Sequence, residues 1–260
     1  MTSFDAILLG LVQGLSEFLP VSSSGHLVIA QALLGLSHEG LLFEIAVHVA
    51  TLVSVLIFYR QRVARLVIGA LSGDADAWRY GGKLVLASVP AVGAVLLFGD
   101  FFTAQFESPA VVGLCLLLTG QVLWTTRKTA PAAHLEEPGW AAAFAIGCAQ
   151  AFAILPGISR SGATVAAALA LGVRPVAAAE FSFMMSVIAI SGAAARLLYN
   201  LDAVPSGELP GLLWAGAAAL VSGVAAIWLF VRLLRGQTFY RFAYYTWFAG
   251  GAILVWLLLA

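Results

Sequence analysis

The sequence predicts an all-α polytopic membrane protein. It has six full transmembrane helices and two re-entrant helix–loop–helix hairpins, laid out as an inverted-topology repeat. Three observations predict this. Hydrophobic residues fill 62% of the 260 positions and charged residues 10%, with a mean hydropathy of +0.98. A soluble domain of this length has too little interior to hide so much apolar surface, so lipid must be its solvent. Six apolar runs reach the roughly 20 residues that a bilayer-crossing helix needs. Two further apolar stretches are broken at their centres by proline, glycine and serine.

The first broken stretch opens the chain. Phe4–Leu19 runs into Pro20-Val21-Ser22-Ser23-Ser24-Gly25-His26, and apolar sequence resumes to Leu36. Each half is too short to span. Irregular backbone at membrane depth survives only where protein buries it or a wet cavity adjoins it, which reads as a hairpin. Leu41–Tyr59, Lys83–Phe101 and Ala110–Thr126 follow as full spans. Trp140–Leu155 then meets Pro156-Gly157-Ile158-Ser159-Arg160-Ser161-Gly162 and resumes to Leu171, a second hairpin. Phe181–Tyr199, Gly211–Leu233 and Phe242–Leu259 complete the spans. All 260 residues form one membrane domain, with repeat one at about 1–130 and repeat two at about 138–260. Met1–Ser16 holds Asp5 and no Lys or Arg, so a cleaved signal peptide is not expected.

Basic residues set the orientation. Arg60, Arg62, Arg65, Arg79 and Lys83 follow the first span, Arg127 and Lys128 the third, and Arg174 the second hairpin. Arg232, Arg235 and Arg241 surround the last connection. Asp100–Pro109 and Asn200–Pro210 carry Asp100, Glu107, Asp202 and Glu208 with no Lys or Arg. The basic connections should face the cytoplasm and the acidic ones the outside; Arg196, near an outer end, is the exception. The first hairpin then enters from outside and the second from the cytoplasm. Three spans follow each, and an odd number inverts the second half. A shift of about 137 positions lays Gly10 on Gly147, Gln13 on Gln150, Ser22 on Ser159, Ser24 on Ser161 and Gly25 on Gly162. Folds of this kind bind their ligand near the midplane, where half-helix ends meet.

Charge narrows the function. Thirteen basic residues balance thirteen acidic ones, which argues against nucleic acid as a partner. Cys115 and Cys148 lie in apolar runs and read as packing residues. Any phosphate or metal site must use Glu, Gln, His, Ser and Arg. Gln13 and Glu17 stand one helical turn apart on one face. Pro20 ends that helix, and Ser22, Ser23 and Ser24 suit the start of the next. The free N–H groups there make a ready anion site. In the second motif Arg160 is the only charge between Trp140 and Val173. An arginine at that depth calls for an anionic partner. Its fork matches phosphate oxygens, and Ser159, Ser161 and Thr164 add hydroxyls. Glu44 and His48 read as an ordinary wet helix end. Glu180 reads as an interfacial partner of Arg174, and His38, His134, Glu136 and Glu137 as loop residues.

Gln13-xxx-Glu17, Pro20-Val-Ser-Ser-Ser-Gly-His26 and Pro156-Gly-Ile-Ser-Arg-Ser-Gly-Ala-Thr164 closely resemble the two signature motifs of the undecaprenyl-diphosphate phosphatase family, the bacitracin-resistance type. The likeness extends to Glu180-Phe-Ser-Phe183 and, in hydropathy, along nearly the whole chain. It implies hydrolysis of undecaprenyl diphosphate to the monophosphate in the bacterial cytoplasmic membrane, recycling the lipid carrier of peptidoglycan synthesis and conferring bacitracin resistance. It also implies an externally facing site and dependence on a divalent cation, Mg²⁺ or Ca²⁺. Glu17, Ser23, His26 and Arg160 fall on the family's catalytic positions. Gln13 replaces the first acidic residue of the family pattern. Met184-Met-Ser-Val-Ile188 stands where relatives often carry proline.

The charges suggest a mechanism on their own. A diphosphate beside Glu17 makes sense with a hard cation between them, Mg²⁺ or Ca²⁺, with Gln13 and Glu17 as candidate metal ligands or as groups that support the ligands. Ser22, Ser24, Gly25, Ser159, Ser161, Gly162 and Thr164 are expected around the phosphates. Ser23 is a candidate nucleophile activated by His26; a water with Glu17 or His26 as base is the alternative. A phosphorylated-lipid transporter or flippase would use a similar broken-helix architecture, and an ion channel is a third reading. A carboxylate grouped with serine, histidine and arginine favours the enzyme. Lipid-facing helices are compatible with a homodimer, whose contacts would look like ordinary packing.

Overall fold

The computed structural model describes residues 2–36, 41–106, 108–199 and 208–259. Among them are eleven α-helices and one 3-10 turn, Phe239–Arg241. The only β-type pairing among the described residues is an isolated bridge between Leu135 and Val173.

Both predicted breaks are present. Helix α1 (Ser3–Phe18) starts on a capping box between Thr2 and Asp5. It stops at Leu19, whose φ of −64° and ψ of 145° is the extended backbone imposed before a proline, here Pro20. Helix α2 (Ser23–Leu33) resumes after a turn in which Ser22 takes a φ of 70°. In the second broken stretch, α7 (Trp140–Phe152) and α8 (Arg160–Ala170) flank a loop where Gly157 holds a φ of 93°. A side chain at Gly157 would also strike the Val112 carbonyl, so only glycine fits there.

The spans are α3 (Leu41–Phe58), α5 (Ala75–Gln105), α6 (Pro109–Ala132), α9 (Pro175–Tyr199), α10 (Leu209–Arg235) and α11 (Phe242–Leu259). Five of these helices are long and apolar enough to cross a membrane, and a sixth span results if α3 is counted with the helix that follows it. The chain is an integral, polytopic membrane protein. That following helix, α4 (Arg60–Leu71), replaces the plain basic connection expected from sequence, and its axis turns 81° from α3. It sets Arg60 and Arg65 beside exposed Val67, Ile68 and Leu71, the pattern of a helix lying in a lipid interface. α5 begins before Lys83 because Asp74 caps it, accepting from the Asp76 N–H. It carries Pro90 and departs from helical angles at Phe98.

Lipid provides no hydrophobic drive between helices, so close backbone approach must hold the bundle. α1 packs along α10, with Gly10 against the Ala215 carbonyl; α7 packs along α5, with Gly147 against the Ala87 carbonyl. α6 crosses α11 where Gly113 meets Gly250: a Cβ on Gly250 would lie 2.6 Å from the Gly113 oxygen. A column of rings fills the centre, Phe18 to Phe183 at 5.5 Å, Phe183 to Phe230 at 5.0 Å and Phe230 to Phe239 at 4.9 Å.

Several pairings differ from the sequence expectation. Glu180 pairs with Arg62 at 2.8 Å, not with Arg174. Arg174 instead pairs with Glu136, and Lys83 with Glu137 at 2.8 Å, so these acidic residues tie the 133–139 connection to the first half of α5 and to the residue before α9. Both cysteines are free. The Arg196 side chain, His38, Glu107 and Asp202 lie outside the described residues.

Candidate active site

The two broken hairpins meet. The Gly157 N–H donates to the Ser22 hydroxyl at 3.2 Å, joining one loop to the other across 135 positions. Thr119, on α6, donates to the Gly157 carbonyl at 2.9 Å and accepts from the Ser159 N–H at 3.2 Å. These bonds fix the N-terminus of α8 beside that of α2, and so fix the first residue of each helix.

Those first residues are Ser23 and Arg160, and Glu17 touches both. The Ser23 hydroxyl donates to Glu17 Oε2 at 2.7 Å. Arg160 Nη2 donates to Glu17 Oε1 at 2.5 Å. Gln13, one turn back on α1, donates its Nε2 to Oε2 at 3.2 Å. The Glu17 side chain is 8% exposed and that of Arg160 18%. A carboxylate removed from water needs such donors, and each charge answers the other. Arg160 Nη1 and Gln13 Oε1 remain buried with no partner. A carboxylate bonded to a serine hydroxyl is placed to take its proton.

Other predicted residues are committed elsewhere. His26 faces away from Ser23: its Nδ1 bonds the Ser22 carbonyl at 2.8 Å, and its Nε2 bonds the Tyr245 hydroxyl over a stacked ring at 5.7 Å. Ser159 caps α8, accepting from Gly162 N at 3.1 Å, and its hydroxyl lies 3.2 Å from that of Ser161. Thr164 donates to the Arg160 carbonyl at 2.8 Å and bonds Ser182 at 2.6 Å. These three hydroxyls are buried; Ser159 and Thr164 hold the hairpin's own backbone, and Ser161 bonds Ser159. The Ser24 hydroxyl lies 3.5 Å from that of Ser22. Gly25 packs beside Val112, where a Cβ would make ordinary contact at 3.6 Å.

Glu17 and Arg160 open onto a cavity of about 720 Å³, within the range of small-molecule sites. Glu44, His48 and Gln150 share its polar side, and Val92, Val95 and Leu96 form an apolar wall. The reading of Glu44 and His48 as a wet helix end missed this. His48 Nε2 lies 3.9 Å from Glu17, and its Nδ1 donates to the Glu44 carbonyl at 2.7 Å. Their one-turn spacing on α3 was the available signal. Tyr245 was missed as well, and nothing local marks it: its contact with His26 spans 219 positions.

The offset of about 137 positions sharpens the geometry. It lays Arg160 on Ser23 and Ile154 on Glu17. At that offset a guanidinium stands where the first motif has a serine hydroxyl, and an apolar side chain where it has a carboxylate.

Compared with known proteins, residues 6–252 match the family described as bacitracin resistance protein BacA. A protein of Alkaliphilus metalliredigens named undecaprenyl-diphosphatase is 38% identical over 275 residues, covering all of both chains. Proteins of the same name from Syntrophotalea carbinolica and Carboxydothermus hydrogenoformans are each 40% identical. The alignments cover 96% and 98% of this chain, and 97% of each relative.

Proposed function

The chain belongs to the bacitracin resistance protein BacA family, and from that premise we infer that it is an undecaprenyl-diphosphatase, a membrane hydrolase. It converts undecaprenyl diphosphate to undecaprenyl phosphate and inorganic phosphate. That reaction returns the carrier lipid to peptidoglycan synthesis and underlies bacitracin resistance.

The observation that carries the mechanism is Glu17, bonded at once to Ser23 and to Arg160. In our reading the Ser23 oxygen attacks the terminal phosphorus as its proton passes to Glu17 Oε2. The P–O bond to the bridging oxygen breaks and undecaprenyl phosphate leaves. Water then attacks the phosphorus of the phosphoserine, the Oγ–P bond breaks as the proton held on Glu17 returns to the Ser23 oxygen, and the water's protons leave on inorganic phosphate, with serine and carboxylate restored. Arg160 draws the equatorial oxygens through Nη1, its free donor. His26, held by Tyr245, stiffens the turn that presents Ser23.

The donor set fits a hard divalent cation, Mg²⁺ or Ca²⁺: Gln13 Oε1 is a buried, unpartnered amide oxygen beside the Glu17 carboxylate. Gln13 and Glu17 would hold the ion together with substrate oxygens, and the ion would neutralise phosphate charge.

We read the fold as an inverted repeat of three spans after each re-entrant hairpin. Gly113 and Gly250, which touch, stand apart by the same offset that pairs Gly10 with Gly147. The hairpin helix of each half packs on a span of the other, α1 on α10 and α7 on α5. The cavity lies along the start of α3, the middle of α5 and the second half of α9, away from the basic ends of α3 and α10. By charge asymmetry that side faces the periplasm of a bacterial inner membrane.

The test is phosphate release from farnesyl or undecaprenyl diphosphate by purified protein in detergent. The reading expects release that needs a divalent cation and is lost in Glu17→Ala and Arg160→Ala. It fails if wild-type protein releases no phosphate at any metal concentration.

A further inference from the structure

One buried polar side chain outside these roles faces the cavity with nothing to bond. Gln150, on α7, is 4% exposed and lines the cavity. Its Oε1 is sealed from solvent without a partner, and its side chain makes no hydrogen bond among the described residues. The N–H groups of the same amide donate to nothing among the described residues, and a side chain that lines the cavity with both donors unspent can bond a ligand oxygen there.

Comparison with its counterpart explains the vacancy. At the repeat offset Gln150 answers to Gln13, whose Nε2 is spent on Glu17 at 3.2 Å. The place of Glu17 in the second copy is held by Ile154, an apolar side chain that also lines the cavity. The amide is retained and the carboxylate it would hold is not. The Gln150 N–H groups are therefore free for an anion that enters the cavity.

We propose that Gln150 is a substrate-binding residue that donates to the lipid-side phosphate of the polyprenyl diphosphate, the phosphate that is not attacked. This rests on the diphosphatase reading above. Position assigns the subsite. Glu17 comes from α1, which packs on α10, whereas Gln150 comes from α7, which packs on α5. α5 supplies the apolar wall, and its Val92 and Leu96 are 56% and 74% exposed, so the wall continues onto the lipid-facing surface. An isoprenoid tail leaving along α5, with its terminal phosphoryl at Ser23, sets the second phosphate against α7 and the Gln150 amide. That phosphate keeps its bonding to the protein from ground state to transition state. Gripping it lowers KM and leaves the chemical step alone.

The experiment is steady-state kinetics of the full chain in detergent with farnesyl diphosphate, for wild type, Gln150→Leu and Gln150→Glu. KM should rise about tenfold or more in Gln150→Leu, the loss of one hydrogen bond to a charged oxygen. It should rise further in Gln150→Glu, where a carboxylate meets the phosphate, and kcat should stay within about threefold in both. Inhibition by farnesyl monophosphate should weaken in step with KM. Inhibition by inorganic phosphate, which takes the attacked subsite, should not change. Unchanged KM in both variants, a loss confined to kcat, or equal weakening by both inhibitors overturns the proposal. If Gln150→Leu does not fold, Gln150→Glu, equal in size and shape, decides alone. A wild-type protein that releases no phosphate would instead sink the diphosphatase reading.

Discussion

Removing Arg160 should cost stability and activity for separable reasons. Its guanidinium bonds Glu17 at 2.5 Å, with the two side chains 18% and 8% exposed. Arg160→Gln leaves a buried carboxylate with only Ser23 and Gln13 as donors. Breaking one side of a buried ion pair costs about 3–5 kcal/mol, because the charge left behind is uncompensated. Glu17→Gln, which strands the arginine, should cost about as much. The double variant Glu17→Gln, Arg160→Gln leaves two neutral amides able to bond each other, and should recover most of that loss. Activity should not recover. Losing a guanidinium that stabilises phosphoryl oxygens costs roughly 10³-fold or more in kcat, and losing the base adds to it. The assay is unfolding in detergent micelles followed by circular dichroism, run beside phosphate release for all four proteins. A double variant no more stable than the single ones would refute the buried-pair account. An Arg160→Gln enzyme within tenfold of wild type would refute the catalytic one.

Three further outcomes follow from named contacts. Tyr245→Phe removes the hydroxyl that holds His26 Nε2 and should lower kcat about three- to tenfold, the worth of one neutral hydrogen bond, with folding unchanged; steady-state kinetics and a melting curve check it. Gly250→Val should destabilise the α6–α11 crossing by about 2 kcal/mol or more and reduce the folded yield on size-exclusion chromatography, since its Cβ would lie 2.6 Å from the Gly113 oxygen. Chelation should abolish phosphate release, and added Mg²⁺ or Ca²⁺ should restore it in wild type but not in Glu17→Ala.

Local chemistry made much of this readable before any coordinates. Pro20 and Pro156 mark both breaks, because proline lacks the N–H a helix interior uses and disfavours a helical residue before it. The motifs at 13–26 and 156–164 do come together, since a buried arginine and a buried glutamate each need the other. What stayed hidden depends on which helix covers which face. Glu44 and His48 look like a wet helix end until α5 and α9 close a cavity around them. Glu180 pairs with Arg62 and not with Arg174, its neighbour in sequence, because Arg62 stands just past the 81° turn between α3 and α4, a turn the sequence does not announce. α4 is not legible in the sequence, because a basic stretch between spans looks alike whether it coils or lies helical in the interface. Tyr245 sits in a helix that is apolar nearly all round, so periodicity could not single it out.

The account turns on Ser23 and Arg160 holding one phosphoryl group across Glu17. Its most direct test is acid quenching of single turnovers with terminally ³²P-labelled farnesyl diphosphate, followed by peptide mapping. Label on Ser23, formed and lost at rates that match turnover and absent from Ser23→Ala, is the predicted result. Rapid phosphate release with no labelled serine at any time, and a Ser23→Ala enzyme near wild-type rate, would contradict it.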